Sequence, residues 1–93
     1  MFVGVVRIEL HLPASTSLKE KRSVIQGLKE RIRQRTHASV AEVDHQDLWQ
    51  RAALGVAMVS GEKGQLDRAM QAVRSLVDAA PGAVLLDWQE ELQ

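Results

Sequence analysis

SLKEKRSVIQGLKERIRQR, residues 17–35, is the stretch that decides the fold of this chain, because it predicts a single amphipathic helix. The apolar residues recur at helical spacing and fall on one side: Leu18, Val24, Ile25, Leu28 and Ile32. Ser17 and Glu20 form a capping box, in which each side chain accepts a hydrogen bond from the other residue's backbone N–H. The helix therefore has a defined start and one face that packs against a core.

The same stretch carries seven of the chain's twelve Lys and Arg residues. Four of them line up beside the apolar side at intervals of three, seven and four residues: Lys19, Arg22, Lys29 and Arg33. Three more are expected at the edges of this basic surface: Lys21, Arg31 and Arg35. By angle Lys21 falls within the apolar side, so its ammonium should either reach solvent or meet an acid at the sheet edge. The surface is either a phosphate-binding site or a solvated face with interleaved Glu20 and Glu30.

Outside this helix, the pattern predicts four strands and a second helix. Alternating or β-branched runs indicate strands at residues 2–12, 38–43, 51–60 and 83–92, and helical spacing indicates a helix over 62–80. In the last strand, Val84, Leu86 and Trp88 are expected to share a face. The order β-α-β-β-α-β predicts one α+β domain over residues 1–93 with a ferredoxin-like fold, a four-stranded antiparallel sheet with both helices on one face.

The sheet face that the helices leave open is predicted to be apolar. The strand alternation places six small or aliphatic residues there: Val3, Val5, Ala53, Gly55, Ala57 and Val59. Such a patch usually marks an interface, so we expect a homodimer through this face. Scattered apolar residues on an ordinary surface are the alternative interpretation.

Composition limits the possible functions. Residues 1–36 hold eight cations and three anions, and residues 37–93 hold four and nine, so the chain has a basic part and an acidic part. The absence of Cys excludes disulfides and thiolate chemistry. No apolar run approaches the ~20 residues of a membrane helix, and Met1 leads directly into a strand. A cytoplasmic protein without membrane contact is expected.

The sequence offers little chemistry for an enzyme, a metal or a cofactor, and none of the three is expected. The loop after the first strand has no glycine for a phosphate to approach, and the histidines do not form a metal-binding motif. One local cluster could support acid–base or metal chemistry, namely Glu42, Asp44, His45 and Asp47, with Glu42 and Asp44 on the same strand face; a solvated hairpin end is the favoured interpretation. The adjacent Trp49 is expected to cover one end of the core, with an exposed anchor as the alternative.

Base reading by aromatic residues on the open sheet face is excluded, because the chain has one Phe, two Trp and no Tyr. Phosphate contact by the basic helix is the nucleic-acid mode that the sequence leaves open.

Two blocks, SLKEKRSVIQGLKERIRQR and SVAEVDHQDLWQRAALGVAMVS (residues 39–60), resemble the bacterial YlxP-like family, a small domain of unknown function. The resemblance covers essentially the whole chain. It implies a ferredoxin-like fold without an established activity, and genes for translation initiation and ribosome maturation factors often lie near those of its members.

The leading hypothesis is therefore a small non-enzymatic cytoplasmic protein that contacts ribosomal or other structured RNA through its basic helix. The alternative is a homodimeric protein-interaction or small-ligand regulatory module with no nucleic-acid role.

Overall fold

Four strands and two helices follow one another in the predicted order, and the computed structural model describes residues 1–92. The strands are β1 (Phe2–His11), β2 (Ser39–Asp44), β3 (Arg51–Ser60) and β4 (Val84–Leu92), and the helices are α1 (Leu18–Thr36) and α2 (Lys63–Asp78). Every predicted element is confirmed, with ends that differ by no more than two residues.

The strands form one antiparallel sheet in the order β2-β3-β1-β4. The central pair, β1 and β3, sets the register, with Val6 opposite Val56 and Ile8 opposite Leu54. Both helices pack on one face of this sheet, so the predicted ferredoxin-like fold is confirmed.

The core lies between the helices and one face of the sheet. β1 contributes Val6, Ile8 and Leu10, all 0% exposed, because alternate residues of a strand point to the same side. The helices contribute the apolar residues of their inner faces: Ile25, Leu28 and Ile32 from α1, and Met70, Val73 and Val77 from α2. Burial of these side chains is the main source of stability for the fold.

The capping box at the start of α1 is only half correct. The Ser17 Oγ accepts a hydrogen bond from the Glu20 backbone N–H at 3.1 Å, as predicted. The Glu20 carboxylate, however, accepts from the backbone N–H and the hydroxyl of Thr16, at 2.8 and 3.0 Å, and not from Ser17. The helix start is therefore stabilised by one residue more than the motif suggests.

Two β-bulges correct the predicted strand faces. One register shift lies on β2, between Glu42 and Asp44. The other lies on β4, because Glu9 pairs with Asp87 whereas the next residue, Leu10, pairs with Leu85. An extra residue in one strand reverses the side to which later side chains point. The prediction that Val84, Leu86 and Trp88 share a face is wrong, since Trp88 packs against the core whereas Val84 and Leu86 are half exposed.

Within residues 1–92, no helix has the length and hydropathy needed to cross a bilayer.

Candidate nucleic-acid interface

The basic residues of α1 occupy two flanks of the helix. Arg33 lies on the flank that faces β2, because its Nη2 donates to the Val40 carbonyl at 3.1 Å. Its Nη1 lies 3.0 Å from Glu30 Oε1. At 100° per residue, Lys19, Arg22 and Lys29 lie on this same flank. We call these four residues, Lys19, Arg22, Lys29 and Arg33, the basic stripe. It runs along the outside of α1 beside the edge strand β2.

Arg31 and Arg35, predicted at the edges of the basic surface, lie on the opposite flank of α1. Both side chains are exposed. Val24, on this flank, lies 3.6 Å from where a Cβ of Gly82 would be, which places the flank on the side of the loop that follows α2. The seven predicted nucleic-acid residues therefore do not form one continuous surface.

Lys21 must be removed from the predicted nucleic-acid surface. It is 1% exposed, and its Nζ donates to the His45 carbonyl at 2.6 Å and lies 3.4 Å from the Gln46 carbonyl. Glu42 Oε2 lies 2.7 Å from the same Nζ and forms an ion pair with it. The contact does not have the angles of a hydrogen bond. A buried ammonium held by these groups has no access to a phosphate. The expectation that Lys21 meets an acid at the sheet edge is confirmed.

The cations of α1 differ from those elsewhere in how they are paired. Outside α1, ion pairs are formed by four of the five cations: Arg7, Arg51, Lys63 and Arg74. On α1, five of the seven cations have no ion pair with any of residues 1–92: Lys19, Arg22, Lys29, Arg31 and Arg35. The positive charge of α1 is thus largely available to a partner.

The open sheet face is apolar at one end. Register places Val3 opposite Val59 and Val5 opposite Ala57, on the side away from the helices, as predicted. Val59 is 64% exposed, and the predicted interface position Gly55 lies under the side chain of Val43. Ala53, also predicted at the interface, is 0% exposed and is not available for contact with a partner.

Ala53 is covered because polar residues occupy the other end of this face. Its neighbours across the sheet are Glu9 on β1 and Asp44 on β2, and Arg7 joins them with Nη2 at 2.9 Å from Glu9 Oε1 and 3.2 Å from Asp44 Oδ2. Arg51 Nη2 and His45 Nε2 lie 3.2 and 3.1 Å from the other oxygen of Glu9. We call these five residues, Arg7, Glu9, Asp44, His45 and Arg51, the Glu9 cluster.

Contacts within the Glu9 cluster shift the pKa values of Glu9, Asp44 and Arg7. Burial alone would raise the pKa of Glu9, but the hydrogen bonds from Arg7 and Arg51 outweigh burial and lower it. The pKa of Asp44 is lowered by the His45 backbone N–H and then by Arg7, and the pKa of Arg7 is raised by the two carboxylates. All three groups are therefore firmly charged at neutral pH.

The predicted acidic cluster at residues 42–47 does not exist as one site. The bulge between Glu42 and Asp44 sends Glu42 to Lys21 on the helix side of the sheet and Asp44 to Arg7 on the open face. The two carboxylates were expected on one face, and that prediction is wrong. Among residues 1–92, no group of three or more His, Cys, Asp and Glu side chains could bind a metal ion.

Trp49 does not cover the core. It is 54% exposed, beside Leu48 at 48%, in the loop between β2 and β3. The loop is fixed by the hydrogen bond from Leu12 N–H to the Gln50 carbonyl at 2.9 Å and by Lys21 Nζ on the His45 carbonyl. The predicted lid is therefore wrong, and the side chain is an exposed feature of an ordered turn.

Sequence reasoning missed the Glu9 cluster. Its signal was Arg7 and Glu9 two residues apart on the open face of β1, a spacing that brings opposite charges to one side of a strand. The contribution of Arg51 and His45 depends on strand pairing, which no local pattern contains.

Two sequence comparisons with known proteins cover most of this chain. The family described as "Protein of unknown function (DUF503)" matches residues 3–90. An uncharacterized protein YlxP from Bacillus subtilis (strain 168) is 33% identical over 79 residues, which cover 85% of this chain and 86% of that protein. The resemblance to the YlxP-like family is confirmed.

Solved structures support the fold alone. The de novo designed protein Foldit4 superposes with a TM-score of 0.55 at 9% identity, covering 100% of this chain and 97% of the design. A variant of SnoaB, a cofactor-independent oxygenase from Streptomyces nogalater, gives a TM-score of 0.52 at 13% identity, covering 99% and 89% of the two chains. At these identities the likeness carries no information on activity.

Proposed function

The chain belongs to the protein family of unknown function DUF503, and for this member we propose a role as a small non-enzymatic protein that binds structured RNA through α1. The contacts are to phosphates, and a folded ribosomal RNA surface is the kind of partner that suits them.

The unpaired cations of α1 are the observation that supports this proposal. Lys19 and Arg22 are three residues apart, and Arg31 and Arg35, on the other flank, are four apart. Like charges at these separations destabilise a helix, by about 0.2–0.5 kcal/mol for each pair. Bound phosphates would remove this repulsion and release counterions from the RNA.

The geometry of the basic stripe suits a phosphate backbone. Lys19 and Arg33 are fourteen residues apart, which corresponds to about 21 Å along the helix. Such a length reaches several successive phosphates of a folded RNA. Arg33 is oriented by the Val40 carbonyl and Glu30, whereas Lys19 and Arg22 are free to adapt. Contacts of this kind recognise shape and charge, with little base specificity.

The carboxylates of the chain support a non-enzymatic role. Glu9 is paired with Arg7 and Arg51 and Asp44 with Arg7, and the pKa values of both carboxylates are lowered. A general acid at neutral pH needs a raised pKa, which is the opposite of what these partners produce.

Binding of purified ribosomal subunits and deproteinised ribosomal RNA across a salt series tests the proposal. We expect the wild-type affinity to fall steeply between about 50 and 200 mM salt. The triple variant Lys19→Glu, Arg22→Glu, Lys29→Glu should lose binding, because three phosphate contacts become repulsive. Arg33 is left in place because its contact with Val40 is structural.

The matched control changes the same amount of charge on the other helix, with Lys63→Glu, Arg68→Glu and Arg74→Glu. This variant should keep most of its affinity for RNA. The proposal fails if the wild type does not bind either preparation at low salt, or if the α2 variant is weakened as much as the α1 variant. Equal binding to duplex DNA of the same length would broaden the partner to any polyanion.

A further inference from the structure

Trp49 has the most exposed ring among the one Phe and two Trp residues of this chain. It is 54% exposed, whereas Phe2 is 39% exposed and Trp88 packs against the core, with the Arg74 guanidinium 5.2 Å from its ring centroid. Within residues 1–92, the indole N–H of Trp49 has no hydrogen-bond partner and no cation lies over its ring. The ring of Trp49 is therefore free to contact a ligand.

The turn that carries Trp49 has a fixed backbone. The Leu48 N–H donates to the His45 carbonyl at 3.0 Å, which closes the turn. The side-chain amide of Gln50 donates to the Ser15 carbonyl at 3.2 Å, which attaches the turn to the loop before α1. A ring on an ordered turn loses little conformational freedom on binding, so more of its contact energy contributes to affinity.

The turn lies at the Lys19 end of the basic stripe. Near the start of β2, Arg33 contacts the Val40 carbonyl. Just after the end of β2, Lys21 contacts the His45 carbonyl. α1 therefore runs antiparallel to β2, and Lys19, two residues before Lys21, lies at the end of the stripe that meets the turn. An RNA strand that follows the stripe reaches the exposed ring.

The surface around Trp49 suits a base and not a phosphate. A shallow hollow of about 430 Å³ is lined by Asp47, Leu48, Trp49, Gln50 and Arg51. Asp47 has no ion pair with any of residues 1–92, so its carboxylate would repel a phosphate at this point. The same carboxylate can accept a hydrogen bond from the exocyclic amino group of a base. The ring and Leu48 offer an apolar surface to the face of that base.

We propose that Trp49 is a stacking platform for one unpaired base of the bound RNA, whose phosphates lie along the basic stripe. The proposal rests on RNA binding by α1 and adds a preference for nucleotides outside a duplex, because a paired base cannot present its face. Stacking on an aromatic ring accepts any base, whereas Asp47 favours bases with an amino group over uracil. The adjacent unpaired cation of Lys19 favours RNA over a protein on this ring.

Two RNA probes that differ only in one base test the proposal. Both are the same duplex with one unpaired nucleotide, which carries adenine in the first probe and is abasic in the second, so their phosphates are equal in number. The wild type should bind the adenine probe about tenfold more tightly, in line with the contribution of one stacked base. Trp49→Ala should bind both probes with the wild-type affinity for the abasic probe. Trp49→Phe should keep most of the preference, because it retains an aromatic ring.

Phe2→Ala is the matched control, because it removes an exposed aromatic ring at the far end of β1. Phe2 is the first residue of this strand, whereas its last residue, His11, pairs with Arg51 directly after the turn. The control variant should keep the wild-type preference for the adenine probe. Circular dichroism should show that the variants at Phe2 and Trp49 are folded, since both side chains are exposed.

Fluorescence reports on stacking directly. In a Trp88→Phe background, Trp49 is the single tryptophan of the chain. Its emission should be quenched by the adenine probe and not by the abasic probe at equal saturation, because a stacked base contacts the indole ring. Equal emission changes with the two probes would contradict stacking.

The stacking proposal is overturned if the wild type binds both probes equally or binds neither. It is also overturned if a folded Trp49→Ala variant keeps the preference, or if Phe2→Ala loses it as well. A Trp49→Ala variant that binds ribosomal subunits weakly but deproteinised ribosomal RNA normally would place a protein on Trp49 and reject stacking.

Failure of stacking can be told apart from failure of RNA binding by α1. Equal binding of both probes by the wild type, abolished by the triple α1 variant, would reject stacking alone. A wild type that binds neither the probes nor ribosomal RNA at low salt would reject both proposals.

Discussion

Lys21 Nζ lies 2.7 Å from Glu42 Oε2, and this buried ion pair joins α1 to the edge strand β2. The same ammonium donates to the backbone carbonyl of His45. The imidazole ring of His45 belongs to the Glu9 cluster, on the other face of the sheet. His45 has a φ of 63°, a left-handed conformation that costs free energy for a residue with a Cβ. By binding the His45 carbonyl, Lys21 holds in place the turn after β2, and the His45 ring of that turn lies on the open face of the sheet.

Lys21→Met is expected to destabilise the protein by about 3 kcal/mol, because it leaves a half-buried carboxylate and two carbonyls without their cation. Thermal unfolding should show a loss of about 4–8 °C for each kcal/mol. The double variant Lys21→Met, Glu42→Gln should lose less than the sum of the two single variants, since it removes both charges. Strict additivity would mean that the two side chains do not interact.

Glu9→Gln is expected to lower stability at pH 7 by about 1 kcal/mol, because Arg7 and Arg51 lose a charged acceptor in a site that solvent partly screens. The folded pKa of Glu9 lies below its ordinary value of 4.5. The ionised pair therefore stabilises the fold fully above pH 4.5, and this contribution is lost as the pH falls through the lower folded value. Urea unfolding from pH 7 to pH 3 should show the difference between wild type and variant shrinking in acid. A constant difference would contradict the assignment.

Ser17→Ala is expected to cost about 1 kcal/mol, since the Glu20 backbone N–H loses its acceptor at the start of α1. Ser75→Ala, inside α2, is the matched control and should be neutral or slightly stabilising, because Ala is the better helix former. Chemical denaturation of the two variants measures both effects. Equal effects at the two serines would argue against a cap at Ser17.

Gly55→Ala is expected to destabilise the sheet by about 1 kcal/mol, since the new Cβ would lie 2.9 Å from Val43 Cγ1 and a β-branched side chain has few rotamers to yield. Val43→Ala in the same chain should recover most of the loss. Gly61→Ala meets no atom within 4 Å and serves as the control. If Gly55→Ala is neutral, the bulge beside Val43 moves more easily than its geometry suggests.

The periodic part of this protein could be predicted from its sequence. Alternation in β1 and helical spacing in α1 depend on neighbours within a few residues, so the element order and the buried face of each element followed directly. The same periodicity located the buried position of Lys21 and the open-face positions of Val3 and Val59.

The tertiary structure decided which side chains meet. Which acid Lys21 meets, whether Ala53 is exposed and whether Glu42 and Asp44 share a face all depend on pairing between strands that are distant in sequence. A single bulge on β2 sends Glu42 to α1 and Asp44 to Arg7. Local patterns fix a side chain's place within its own element. Register and bulges are set by non-local backbone pairing, and they determined the Glu9 cluster.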